Sequence, residues 1–161
     1  MLKKIIAGLF ILLMLAIAAV YVLIPTDISI NNNLIVTTTD AHVFQFLNHQ
    51  KEWKKWWPGK AVSDFNYQYN KYLYTIKQLN NDDVLITVAN PELTINTKFS
   101  FLSTDANKVK LNWNGIKTSG FNPINRFEIF LQMNRIKKDM DAIMLKFKRF
   151  IEDDRNIYEM D

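Results

Sequence analysis

The residues that could do chemistry in this sequence are few and scattered. His42 and His49 stand seven apart, outside any HExxH run and without a compact set of carboxylates, so both read as surface residues and no metal site is expected. Glu92, Glu128 and Asp139 are candidate general acids, but nothing in the sequence pairs them, and acid–base work needs groups held within reach of one another. Asp82-Asp83 reads as a turn and Glu152-Asp153-Asp154 as a solvated helix end. No serine lies in G-x-S-x-G, and four widely separated glycines cannot build a phosphate loop. The absence of cysteine removes thiol nucleophiles, disulfides, zinc ribbons and iron–sulfur clusters together. No catalytic residue, metal or cofactor is therefore expected.

Side chains that could hold apolar matter are far better represented. Trp53, Trp56 and Trp57 form the densest aromatic cluster, and spacings of three and four put Trp53 on one helical face with both of the others. They read either as a lid over a core or as a gate at the mouth of a cavity. Phe99, Phe101, Trp113, Met133 and Met140 complete a set of eight candidate ligand-cavity residues, because thioethers and aromatic rings adapt to irregular apolar guests. The same side chains can fill an ordinary core, so a dedicated cavity and a packed interior both stay open here. Lys51, Lys54, Lys55 and Lys60 surround the tryptophans and read as a solvated face.

Those candidates need elements to position them. Residues 27–38 read as a strand with an irregularity at Asn31-Asn32-Asn33, followed by short helices over 41–48 and 50–57, the second closed by Pro58-Gly59. Turn residues then divide the chain into strands over 65–69, 72–79, 84–89, 93–102 and 108–114, an antiparallel meander. Leu93, Ile95, Thr97, Phe99 and Phe101 share one face of their strand by its period of two. Beyond a loop over 115–125 the apolar set Ile129, Met133, Ile136, Met140, Ile143, Phe147 and Phe150 recurs at spacings of four and three, which predicts one long amphipathic helix to about Asp153.

The N-terminus obeys a different solvent. Residues 5–24 carry no charge and follow Lys3-Lys4; as a helix they span about 30 Å, the thickness of a hydrocarbon core. Ala16-Ile17-Ala18 offers a cleavage pattern, yet the apolar run continues through Val20 to Ile24, so an uncleaved signal anchor is expected over a cleavable signal peptide. By the positive-inside rule residues 1–4 stay in the cytoplasm and the domain after Pro25 is extracytoplasmic. Of the net charge of +4, Lys3 and Lys4 supply two, and the remaining +2 is too weak a field to argue for nucleic acid. The expected organisation is a cytoplasmic flank (1–4), a transmembrane anchor (5–24), one domain (27–152) and a polar tail (153–161).

Particular residues add a resemblance. Asp40-Ala41-His42-Val43-Phe44-Gln45-Phe46-Leu47-Asn48, followed by Trp53-Lys54-Lys55-Trp56-Trp57-Pro58, resembles the early helices of the START-like SRPBCC superfamily, the group of polyketide cyclase/dehydrase-related and lipid-transfer domains. There a strand leads into a V-F-x-x-L-x helix and a W-x-x-W turn. Asn122-Pro123 and Lys137-Lys138-Asp139-Met140 resemble membrane-anchored members of the group, and the likeness covers about residues 27–152. It implies an α+β helix-grip fold, an antiparallel sheet wrapped around a long C-terminal helix, with an elongated cavity for apolar or amphipathic ligands. The function it implies is a non-enzymatic, membrane-tethered binding module for a hydrophobic small molecule or lipid. A cyclase-, dehydratase- or hydrolase-like enzyme using scattered cavity groups is the alternative, and a closed-core interaction domain the second. Relatives with an end like Phe150-Ile151-Glu152 often continue into a gyrase-inhibitor-like effector-binding domain; this sequence runs to Asp161, and no function of such a domain is carried over.

Overall fold

The uncharged run that follows Lys3-Lys4 folds as helix α1 (Leu2–Leu23), and Pro25 prevents its continuation. In the computed structural model, which describes residues 2–80 and 83–158, it is the one described helix long and apolar enough to cross a membrane. Asn81, Asp82 and residues 159–161 lie outside the described residues, and with them half of the expected Asp82-Asp83 turn and the end of the expected polar tail.

Strand β1 (Asp27–Val36) leads into α2 (Asp40–Leu47) and α3 (Gln50–Trp56). Thr39 caps α2, its side-chain oxygen accepting from the His42 backbone N–H. The meander follows as β2 (Lys60–Ala61), β3 (Asn66–Tyr69), β4 (Tyr72–Leu79), β5 (Asp83–Ala89), β6 (Thr94–Asp105) and β7 (Lys108–Thr118), and helix α4 (Pro123–Tyr158) closes the chain. Among the described residues the strands form one sheet in the order β1-β7-β6-β5-β4-β3-β2, antiparallel at every pair.

The alternation read in the sequence is the alternation of burial. Ile95, Thr97 and Phe99 of β6 and Val109, Leu111 and Trp113 of β7 face inward, and the α4 stripe from Ile129 through Met133, Ile136, Met140, Ile143 and Phe147 lies over them. Several boundaries differ from the sequence reading: β2 is additional to the expected strands, β6 runs to Asp105 and β7 to Thr118, and the loop expected over 115–125 shrinks to 119–122. The strand β1 runs in unbroken register from Asp27 opposite Thr118 to Val36 opposite Val109, without an irregularity at its three asparagines. Asn32 is buried there because its side-chain amide donates to the Lys137 carbonyl of α4 at 2.8 Å, so a polar residue occupies an inward position with its donor satisfied. The register shifts fall instead between Ile76 and Gln78 and between Ser103 and Asp105. Helix α4 also continues to Tyr158, past the end at about Asp153 that its apolar stripe predicts.

Antiparallel pairing fixes direction. The start of β1, the end of β7, the β3–β4 and β5–β6 turns and the start of α4 share the end of the domain next to α1, whereas α2, α3 and the β6–β7 turn lie at the far end.

Candidate functional site

Trp53 and Trp56 project from α3 and Trp57 from its C-cap, beneath the sheet's inner face. Each indole N–H is satisfied within the chain: Trp53 donates to the Leu47 carbonyl at 2.8 Å, Trp56 to that of Phe46 at 3.4 Å, and Trp57 to that of Gln68 at 3.3 Å. Trp113 donates to the Thr97 hydroxyl at 2.9 Å, which passes its own proton to the Ile86 carbonyl at 2.9 Å. None of the four is left pointing at an empty place.

The rings close on one another. Trp56 meets Phe147 at 4.7 Å between centroids, Phe147 meets Phe99 at 6.3 Å, and Phe99 stacks on Trp113 at 5.0 Å. Trp113 then meets Tyr74 at 6.1 Å, Tyr74 meets Trp57 at 5.2 Å, and Trp57 returns to Trp56 at 5.8 Å. These separations are those of aromatic pairs in direct contact. Of the eight candidate cavity residues, Trp53, Trp56, Phe99, Trp113, Met133 and Met140 are 0% exposed, Trp57 is buried, and Phe101 is half-buried towards the strand's far end. The structure thus brings seven of the eight into one interior and leaves Phe101 at its margin. Six of the eight thus offer no appreciable surface to a water-sized probe. Gly115 on β7 tells the same: a Cβ there would stand 2.8 Å from the Thr97 methyl and 3.0 Å from Ile95 Cδ1.

A polar seam lies where the aromatic interior meets the α1-proximal end. Asn70, at φ 50° in the β3–β4 turn, donates its amide to Asp139 Oδ1 at 2.7 Å. Asparagine tolerates this left-handed backbone better than most residues. Burial pushes the Asp139 carboxyl up from its ordinary value; the Asn70 hydrogen bond opposes that, and the Tyr74 hydroxyl adds a weaker pull without close hydrogen-bond geometry. Burial also pushes the Tyr74 phenol up, and the Asp139 charge adds to it. Two turns back along α4, Gln132 donates to Glu92 at 2.9 Å and accepts from Asn90 at 3.1 Å. Glu92, Glu128, Gln132 and Arg135 line a cleft of about 380 Å³.

Two of the three candidate acids, Glu92 and Asp139, thus have amide partners. Positions 128, 132, 135 and 139 of α4 lie along one side of the helix, and the β3–β4 and β5–β6 turns bring partners to them. The Asn70–Asp139 pairing joins residues 69 apart in sequence, which no local spacing reveals. His42 Nδ1 lies 2.8 Å from the Thr38 hydroxyl and His49 Nδ1 2.9 Å from the Gln45 carbonyl. Gln45, His49, Lys51 and Glu52 line a second cleft, of about 510 Å³, at the far end. Among the described residues no three His, Asp or Glu side chains converge as a metal site would require.

The architecture has solved counterparts. It is similar to the solution structure of the Aha1 dimer from Colwellia psychrerythraea, with a TM-score of 0.57 and 15% identity over 78% of this chain and 96% of that one. It is similar also to a point mutant of Thalictrum flavum norcoclaurine synthase in complex with a transition-state analogue, with a TM-score of 0.59 and 10% identity over 80% and 96% of the two chains. CalU16 from Micromonospora echinospora matches at a TM-score of 0.55 and 10% identity, over 76% and 75%. The fold is START-like. Norcoclaurine synthase and CalU16 are START/polyketide cyclase-like proteins of the SRPBCC group, and at these identities the likeness speaks for the helix-grip fold alone. No protein-family model and no curated protein sequence matches the chain. Between the sheet and the C-terminal helix of this START-like domain the aromatic rings pack against one another.

Proposed function

We propose that this protein is a membrane-tethered, non-enzymatic START-like domain with a closed core, which works through its surface and not by enclosing a guest between sheet and helix. The observation that carries the reading is the complete burial of Trp53, Trp56, Phe99, Trp113, Met133 and Met140 within one core cluster. A guest of even modest size would have to separate side chains already at packing distance, at the cost of their contacts. The tether is α1, with Lys3 and Lys4 on the cytoplasmic side and the domain beyond Pro25 extracytoplasmic.

One observation favours a second reading, a module that binds a hydrophobic small molecule or lipid. Asp139, Asn70 and Tyr74 place polar groups at one end of an apolar interior, the arrangement an amphipathic ligand needs, on a fold whose neighbours include an enzyme solved with a transition-state analogue. Native mass spectrometry of the full chain released from detergent separates the two. A closed core gives the protein mass alone after delipidation; a stoichiometric small molecule retained until denaturation supports the binding module.

A further inference from the structure

The domain does more than follow its tether. Helix α4 begins beside the last turns of α1: Pro123, Ile124 and Phe127 face Ala16, Ile17 and Val20 across an entirely apolar groove of about 200 Å³. Ala16 precedes Ile24 by eight residues, about 12 Å along a helix, while half a hydrocarbon core is about 15 Å. A groove against Ala16 therefore lies below the level at which α1 ends.

What α4 presents at that depth is suited to lipid. Phe121 is 93% exposed and Ile124 69%, and Phe127 is exposed beside them. Arg126 is the only charged residue between Ser119 and Phe127, and it turns inward, where its guanidinium donates to the Ile24 carbonyl and stacks over the Tyr21 ring at 5.4 Å. Several backbone groups here are satisfied within the chain. Pro123 has no N–H, the Ile124 and Asn125 N–H groups donate to Asn122 Oδ1 at 2.9 and 3.4 Å, and the Arg126 N–H donates to the Asn122 carbonyl at 2.9 Å. The Phe121 carbonyl accepts from the Tyr21 hydroxyl, and the Ser119 N–H and hydroxyl both donate to the Thr26 carbonyl, at 2.8 and 2.9 Å. Internal hydrogen bonds of this kind lower the cost of taking the start of α4 out of water.

We propose that the β7–α4 junction is a second membrane contact, in which Phe121, Ile124 and Phe127 enter the acyl layer of the leaflet from which α1 emerges. The domain then stands on the bilayer in one orientation instead of swinging on a leash. The proposal rests on the reading of α1 as a membrane span, and the test keeps the two apart.

The chain has no cysteine, so single cysteines report single sites. Leu13→Cys, Phe121→Cys, Ile124→Cys and, in the β6–β7 turn at the opposite end of the sheet, Ala106→Cys are placed separately in the full chain. Each is labelled with an environment-sensitive fluorophore in nanodiscs of phosphatidylcholine and phosphatidylglycerol, and read by emission maximum and by quenching from nitroxide lipids. The expected result is blue-shifted, lipid-quenched emission at 13, 121 and 124 and water-like emission at 106. Lipid contact at 13 with water-like emission at both 121 and 124 overturns the proposal and leaves the tether standing. Water-like emission at 13 as well overturns both. Phe121 is almost fully exposed, so its variant folds even if that at Ile124 does not.

Discussion

Residues 9–15 of α1 and the ring Trp56, Phe147, Phe99, Trp113, Tyr74 and Trp57 are similarly apolar, yet they meet opposite surroundings. The seven residues of α1 are between 54% and 66% exposed, while Trp56, Phe147, Phe99, Trp113 and Tyr74 are 0% exposed. The interior finds its apolar solvent within the chain; α1 finds little, and its last turns meet the domain at the β7–α4 junction. Composition alone makes the two segments alike. What separates them is period: the strands and α4 alternate apolar with polar residues and so have one face to bury, whereas α1 is apolar on every face and needs a surrounding medium.

Substitutions that remove side chains should act oppositely in the two regions. Trp113→Ala takes out a ring that touches both Phe99 and Tyr74 and the donor to the Thr97 hydroxyl, and is expected to cost about 3–5 kcal/mol in urea unfolding of the domain. Leu12→Ala in α1 should leave that unfolding curve where it was, and an equal loss from both would erase the distinction. Leu13→Arg charges the middle of α1; it is expected to weaken insertion by about 2.5–3.5 kcal/mol, read as loss from the carbonate-resistant membrane fraction, without moving the urea midpoint of the domain.

Gly115→Ala probes whether the interior has room. The added methyl meets Thr97, which two hydrogen bonds hold in place, so overpacking of about 1–3 kcal/mol is expected; a neutral result would reveal slack beneath the sheet. The smallest effect is at the polar seam. Because burial raises the Asp139 pKa, the folded chain holds that proton more tightly than the unfolded one, and this carboxyl's contribution to stability falls as pH rises from 3.8 through the raised value. Asp139→Asn should therefore gain on the parent chain across that window and hold a constant advantage above it, seen in urea midpoints at a series of pH values.

The period-driven parts of the fold were legible without coordinates. The β6 face from Ile95 to Phe99 and the α4 stripe from Met133 to Phe147 are simple periodicities, and the strand-helix-helix-meander-helix order carries the helix-grip layout. Asn31-Asn32-Asn33 misled because three polar residues look like a break, while the long-range bond from Asn32 to α4 is invisible from the strand itself. The tryptophan cluster was legible as a cluster and no further. Whether Trp56 lines a space or fills it depends on Phe147 and Tyr74, brought in from distant elements. The contact of Arg126 with Ile24, 102 residues away, escaped for the same reason, and with it the way α4 leans on α1.

The closed core is open to direct measurement because all four tryptophans lie in it and none lies in α1. Brominated fatty acid, whose heavy atoms quench nearby indoles, is titrated into the full chain in nanodiscs while tryptophan emission is followed. A filled interior predicts emission that stays constant beyond the loss caused by free bromide. Saturable quenching at one equivalent, reversed by unbrominated fatty acid, would mean that the rings part to admit a guest and would contradict the closed core.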